Sequence, residues 1–202
     1  MTDLSTDGRT LSPEQVAEIE VANGLRQFDL GLSMIRHFLD PERPFTLHPS
    51  LIRQLHKEAV NGLEPDAGEW RTGKVGIHES LHQPPGPHLV PNLVQEMCDY
   101  INNNWHEETP FHLSAYAMWR LNWIHPFTEG NGRTSRIVSY LVLSVCLGYE
   151  LPGVPSIPQQ IQDDRTHYFR ALTNADQAWG ISHLDVSEME KTIKNKFGIE
   201  KS

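Results

Sequence analysis

One stretch of twelve residues concentrates side chains that could bind and transfer a phosphate group. It runs from His125 to Arg136 and reads HPFTEGNGRTSR. Glycines let backbone N–H groups approach an anion closely, and arginines neutralise its charge. An imidazole can accept a proton near neutral pH. Together these residue types predict a site that binds a polyphosphate and transfers part of it.

The order of the residues predicts how each would act. Gly130, Asn131 and Gly132 form a turn that leads into a helix, and a helix N-terminus attracts anions through its N–H groups and dipole. The Asn131 amide can also donate to a phosphate oxygen. Arg133 and Arg136 are three residues apart, so both can point from one helix face towards the same ligand.

The residues before this turn predict a metal ligand and a base. Glu129 directly precedes the turn, and magnesium beside a phosphate is usually held by a carboxylate. His125 ends the preceding helix, where it could take a proton from an incoming hydroxyl. Phe127 is expected to anchor the loop in the core. A glycine turn or two arginines alone would mean little, but the complete order fits one chemistry.

The elements that must position this stretch are predicted to be mostly helical. Ser12 and Pro13 form an N-cap and first-turn signal for a helix that runs towards Asp40, with breaks expected near Gly24 or Gly31. Further helices are expected over about 51–62, 93–101, 113–124, 134–147, 159–178 and 185–196.

Glycine and proline interrupt residues 62–88, which cannot form a long helix. Within this region the stretch Lys74, Val75, Gly76 and Ile77 is predicted to be a strand or half of a hairpin.

The bulk properties limit the classes of function. The chain has 202 residues and a formal charge of −9, which predicts one main domain and argues against nucleic acid as a partner. A polar N-terminus and the lack of a long apolar run predict no secretion signal and no membrane partner. Cys98 and Cys146 lack CxxC spacing, which favours reduced thiols and a cytoplasmic location.

The stretch 125–136 resembles the Fic family signature HxFx(D/E)GNGRxxR at every specified position. The resemblance extends over about residues 45–195 and includes GEWR at 68–71 and YFRAL at 168–172. It implies an all-α Fic fold, a helical bundle with a short β-hairpin flap. It also implies an N-terminal helical extension over residues 1–44 and a Fic domain over residues 45–202.

The resemblance implies a protein adenylyltransferase, which moves AMP from ATP to a hydroxyl of a target protein. By analogy, His125 deprotonates the target Ser, Thr or Tyr, and Glu129 holds Mg²⁺. The nucleotide-binding residues would be Gly130, Asn131, Gly132, Arg133 and Arg136. The relative Doc carries lysine at the position of Gly132 and phosphorylates instead, so glycine favours AMP transfer.

The flap is implied to bind the target backbone as an added strand. Its residues would be Lys74, Val75, Gly76 and Ile77.

Regulation departs from a common family pattern. Many Fic enzymes are inhibited by a helix with (S/T)xxxE(G/N), and this string is absent. Glu18 and Glu20 lie in the first expected helix, but Glu14 and Val16 occupy the positions that require Ser or Thr. Inhibition is therefore built differently, absent, or supplied by an antitoxin-like chain, which would make the protein toxin-like. The sequence also leaves open whether the protein forms a homo-oligomer.

Three alternatives remain at this point. A Fic-like phosphotransferase or other phosphate-group transferase would use the same site with a different donor. A Fic-like binding module would have no need for His125. The string His78-Glu79-Ser80-Leu81-His82 reads as the zinc protease motif HExxH, but that motif requires a helix, and Gly76 and the prolines at 84–85 disfavour one.

Overall fold

A computed structural model describes residues 11–77, 80–152, 155–163 and 165–197 of the chain. These residues form a helical fold, as predicted. The helices are α1 Pro13–Phe38, α2 Pro49–Val60, α3 Val90–Asn103, α4 Pro110–Ile124, α5 Asn131–Leu147, α6 Ile157–Asp163, α7 Arg165–Gly180 and α8 Ser187–Phe197. A short 3₁₀ turn, Pro87–Leu89, precedes α3.

Helices α4 and α5 form the centre of the fold. Residues 113–121 of α4 and 137–145 of α5 are buried on every side, as expected for helices that are apolar around their full circumference. The two helices pack against each other, and the Ser114 hydroxyl donates to the Ser139 carbonyl at 3.0 Å. The candidate stretch 125–136 connects these two helices, so the core itself fixes both of its ends.

Helix α1 is continuous where a break was expected. Its N-terminus is a capping box, in which Ser12 and Gln15 each bond the other's backbone N–H. Gly24 lies within the helix with open space around it, and Gly31 faces α5. A Cβ at Gly31 would lie 2.8 Å from Ile137 Cδ1, so this glycine permits close helix packing rather than a break.

The other helix bounds agree with the sequence to within a few residues. Helix α5 begins at Asn131 rather than Thr134. The region expected as one helix over 159–178 is described as α6 and α7, on either side of residue 164, which lies outside the described residues. The division into an extension over 1–44 and a domain over 45–202 stays a prediction.

The expected β-hairpin is not seen. Residues 74–77 and 80–86 are described, and they contain neither strand nor helix. Pro84 and Pro85 have no N–H to donate to a strand ladder, and the carbonyls of Gly73 and Pro85 accept hydrogen bonds from Arg71 instead. Within the described ranges, no helix is both long and apolar enough to cross a membrane.

Candidate active site

His125 lies at the C-terminus of α4 in an uncommon backbone conformation. Its φ of 50° and ψ of 60° place it in the left-handed region, which few residues other than glycine adopt. This turn ends α4 and sends the chain into Pro126 and Phe127. Strained residues of this kind persist where the surrounding structure fixes them, and they are enriched at functional sites.

The hydrogen bonding of the His125 ring defines its tautomer. Nδ1 lies 3.2 Å from the Asn122 carbonyl, which can only accept, so Nδ1 carries the proton and Nε2 carries the lone pair. Burial lowers the pKa of His125 to about 4, and the positive charge of Arg71 contributes to that shift. The imidazole is therefore neutral at pH 7, with Nε2 able to accept a proton.

Asn131 fixes the loop that follows. Its side chain brackets the backbone of Phe127: Oδ1 accepts from the Phe127 N–H at 3.0 Å, and Nδ2 donates to the Phe127 carbonyl at 2.9 Å. Asn131 is 4% exposed and Phe127 is fully buried, so Phe127 anchors the loop as expected. The contact of the Asn131 amide with a phosphate stays a prediction; in the structure the amide closes the loop.

Gly130 occupies the N-cap of α5 with φ 74°, in contact with α2. A Cβ at this position would lie 2.7 Å from Val60 Cγ1 and 3.3 Å from His56 Cδ2. Only glycine fits here without displacing α2. The loop therefore packs closely against α2. The first-turn N–H groups of α5, which have no carbonyl partner within the helix, begin directly after it.

Substitution of Gly130 with alanine should destabilise the protein more than the same change at Gly148. Both glycines have positive φ, but a Cβ at Gly148 meets nothing within 4 Å. We expect Gly148→Ala to cost about 1 kcal/mol for its backbone conformation. Gly130→Ala should cost about 1–3 kcal/mol more because of the contact with Val60. Urea denaturation measures both, and equal losses would contradict this packing.

His56 supports the same loop and was not singled out from the sequence. Its Nδ1 accepts from the Gly68 N–H at 2.9 Å, and its Nε2–H donates to the Glu129 carbonyl at 3.0 Å. The ring stacks on Phe127 with centroids 3.6 Å apart. One signal was available: His56 lies on the apolar face of α2 that contains Ile52 and Leu55, where a histidine is expected to be buried and bonded.

The buried His56 and the half-buried His125 should make stability depend on pH. Burial lowers the pKa of His56, like that of His125, to about 4, whereas an unfolded histidine has a pKa near ~6.5. Between these values the unfolded chain binds more protons, so the free energy of unfolding should decrease as pH falls from about 6.5 to about 4. Urea denaturation at pH 7 and pH 5 should show a smaller decrease in His56→Gln. Substitution of the exposed His106 with glutamine should leave the decrease unchanged, and equal decreases in all three proteins would contradict this assignment.

The two arginines of the stretch lie in different surroundings. Arg133 is partly exposed, and its Nη2 lies 3.5 Å from Glu20 Oε1 of α1. Arg136 packs against Gly132, whose Cβ position would be 3.3 Å from Arg136 Nη1. Burial lowers the pKa of Arg136, and its electrostatic neighbours in the described part of the chain are Tyr168, Arg165 and Arg133 rather than carboxylates. A half-buried cation with such neighbours suits a bound anion.

The acidic side chains of Glu64, Asp66 and Glu129 interact electrostatically near this loop. Glu129 is exposed, and Thr128 donates to the Asp66 carboxylate at 2.6 Å. Burial raises the pKa of Glu64, and the charges of Glu129 and Asp66 raise it further. Nothing among the described residues forms a group of three metal-ligating side chains. This donor set fits Mg²⁺, which commonly takes one or two carboxylates together with phosphates and water.

The predicted flap residues lie at the surface of the fold. Lys74 and Gly76 are exposed, and Val75 and Ile77 are partly exposed. For the zinc alternative, His78 and Glu79 lie outside the described residues. His82 is described, and its Nε2 donates to the Trp123 carbonyl at 2.7 Å. The described residues around it, 74–77 and 80–86, form no helix, whereas the zinc motif requires one.

Comparison with known proteins gives a family match and relatives with the same fold. Residues 46–143 match the family model of the Fic/DOC family. The chain is 29% identical over 177 residues to protein adenylyltransferase Fic of Drosophila willistoni, a match that covers 87% of this chain and 32% of the relative. The chain therefore spans about a third of the length of the curated relatives that it matches.

Two solved structures show the same fold. Fic-1 from C. elegans superposes with a TM-score of 0.66 at 22% identity, over 96% of this chain and 52% of that one. BepC from Bartonella tribocorum, solved with bound AMPPNP, superposes with a TM-score of 0.57 at 14% identity, over 96% and 94%. The signature, the helical fold and the family match agree, and the chain therefore contains a Fic/DOC family domain that covers residues 46–143.

Proposed function

We propose that this protein is a protein adenylyltransferase that transfers AMP from ATP to a hydroxyl of a target protein. The observation that carries the proposal is the arrangement of the short loop between α4 and α5. It begins with a neutral imidazole whose Nε2 can accept a proton, and it ends at a helix N-terminus with a half-buried arginine. The similarity to relatives named protein adenylyltransferase supports it.

The reaction would be an in-line displacement at the α-phosphorus. The target hydroxyl gives its proton to His125 Nε2 as its oxygen bonds the α-phosphorus, and the bond to the β-phosphate bridging oxygen breaks to release pyrophosphate. The N–H groups at the start of α5 and the guanidinium groups of Arg133 and Arg136 would balance the phosphate charge. Bound phosphates also raise the pKa of His125, which makes it a stronger base when substrate is present.

Magnesium would be held at Glu129, whose charge, like that of Asp66, acts on Glu64. When bound, it neutralises charge on the phosphates and on the departing pyrophosphate. ATP as donor is supported by the AMPPNP bound to the structural neighbour BepC. Gly132 favours AMP transfer over phosphorylation, since the phosphorylating relatives carry lysine at this position.

The target would be a protein that binds along the flap residues Lys74, Val75, Gly76 and Ile77, next to the base. We also propose a cytoplasmic site of action, which the free cysteines Cys98 and Cys146 support.

The position of the label in ATP tests the proposal. The purified protein, with Mg²⁺ and lysate proteins, should transfer label from ATP labelled at the α-phosphate and none from ATP labelled at the γ-phosphate. Transfer of the γ-label alone would exclude AMP transfer and favour a kinase-like reaction. The chain without lysate serves as the control for self-labelling.

Glu20 should compete with the nucleotide for Arg133. The two side chains form a partly exposed ion pair at 3.5 Å, and such pairs contribute about 0.2–1 kcal/mol. Glu20→Gln should therefore tighten ATP binding by up to about 5-fold, measured by calorimetry. Glu18→Gln, an exposed position on the same helix, should leave the affinity unchanged. Equal affinities in wild type and Glu20→Gln would contradict the competition.

A further inference from the structure

Arg71 is the most extensively bonded side chain near the site, and the proposed reaction gives it no role. It is 3% exposed. Its guanidinium donates to four backbone carbonyls: Nε to His125 at 2.7 Å, Nη1 to Gly73 at 3.0 Å, and Nη2 to Pro85 at 2.5 Å and to Ile124 at 3.3 Å. Arginine is the one side chain with enough donors in a rigid fork for this set.

Two of the four acceptors belong to the C-terminus of α4. The last carbonyls of a helix have no partner within the helix and carry the negative end of its dipole. Arg71 satisfies the carbonyls of Ile124 and His125, and its own backbone N–H donates to the Pro126 carbonyl at 2.9 Å. These bonds fix the chain on both sides of the His125 peptide plane. Together with the bonds of the His125 N–H to Leu121 and of its ring to Asn122, they hold the left-handed His125 backbone and the direction of its imidazole.

The other two acceptors lie before and after the flap residues 74–77 along the chain. The carbonyls of Gly73 and Pro85 stand at the two ends of the segment that contains residues 74–77 and 80–84. A single side chain therefore closes this segment at its base and joins it to His125. A displacement of the flap by a bound target would act directly on the bonds that orient the imidazole.

We propose that Arg71 is a positioning residue that couples the target-binding flap to the His125 imidazole. It touches neither substrate nor the reacting atoms, and it acts through the backbone carbonyls that it binds. This inference rests on the proposed function for its catalytic consequence. The four hydrogen bonds of Arg71, here called the clamp, are a property of the fold that can be measured without any activity.

Substitution with lysine tests the coupling, because one ammonium group cannot reach four carbonyls. Arg71→Lys should lower kcat by about 100-fold, the effect of a misplaced catalytic group, and raise KM for the target protein, with KM for ATP within about 2-fold of wild type. In Arg71→Gly, added guanidinium at millimolar concentration should restore part of kcat. An unchanged kcat and target KM, or an equal rise in both KM values, would overturn the proposal.

Arg53→Lys is the matched control. Arg53 donates to the Gly68 carbonyl at 2.6 Å and pairs with Glu69 at 2.5 Å, so it supports the chain just before Arg71 without contacting His125 or the flap ends. It should leave kcat and both KM values within about 2-fold of wild type. A loss equal to that of Arg71→Lys would assign the effect to general support of this region and overturn the coupling.

Amide hydrogen exchange of the wild-type protein tests the clamp without a variant and without activity. Because one side chain fastens both segments, the hydrogen-bonded amides of each should open with the same free energy and the same dependence on urea. These are the amides of Ser80 and His82 in one segment and of His125 and Phe127 in the other. Separate openings would overturn the coupling. If the protein transfers no AMP yet the two segments open together, the proposed function fails while the clamp stands.

Discussion

Replacement of His125 with alanine is expected to reduce AMP transfer by about 10²–10⁴-fold, the usual contribution of a general base. The ring is neutral at pH 7, and its Nε2 lone pair is the proton acceptor that the proposed reaction requires. ATP affinity should change little, since the phosphates would be bound by α5 and its arginines. Radiolabel transfer and calorimetry measure the two effects separately.

His112→Ala is the control for this variant. His112 is partly buried at the opposite end of the same helix, where it bonds Tyr100 and Glu190. It should retain transfer close to the wild-type rate. Wild-type transfer by His125→Ala would show that another group acts as the base, and loss of ATP binding would show that His125 contributes to the nucleotide site instead.

Asn131→Ala should lose both stability and activity. The substitution removes two hydrogen bonds and leaves the buried N–H and carbonyl of Phe127 without partners, at a cost of about 2–4 kcal/mol in the free energy of unfolding. Because the same bonds close the loop between His125 and α5, transfer should fall by about 100-fold even at temperatures where the variant is folded. Urea denaturation and label transfer measure the two losses.

Asn102 offers a control with the same hydrogen bonds at another place. Its amide brackets the backbone of Leu47 in the same way, accepting at 2.8 Å and donating at 2.9 Å. Asn102→Ala should therefore lower stability by a similar amount and leave kcat near wild type. If both variants lose activity equally, the effect of Asn131 is one of stability alone, and its role in the loop is contradicted.

The site residues that could be predicted from the sequence are those whose signal is local. The order of residue types from His125 to Arg136 was sufficient to predict a glycine turn that leads into a helix, and the structure shows that turn at the start of α5. The helices around it followed from apolar spacing and from caps such as Ser12. Asn131 shows the limit of such inference: its residue type suggested a phosphate ligand, but its bonds to Phe127 became visible only in the folded loop.

The features that could not be predicted depend on contacts between residues far apart in the sequence. Arg71 is 54 residues from His125 along the chain, and nothing in its neighbourhood indicates that carbonyls from two other segments surround it. A hairpin was expected at residues 74–77. In the structure, the carbonyls of Gly73 and Pro85 on either side of these residues bond Arg71 instead. The break expected in α1 is absent because Gly31 receives Ile137 from α5. Glycine alone cannot distinguish a break from a close helix contact.

A crystal structure with a non-hydrolysable ATP analogue and Mg²⁺ would show whether the loop between α4 and α5 binds the nucleotide. We expect the phosphates at the N-terminus of α5, in contact with Arg136, and the metal at Glu129. The α-phosphorus should lie on the side of the loop that His125 Nε2 faces. An analogue bound elsewhere, with the first turn of α5 in contact only with solvent or protein, would contradict this expectation.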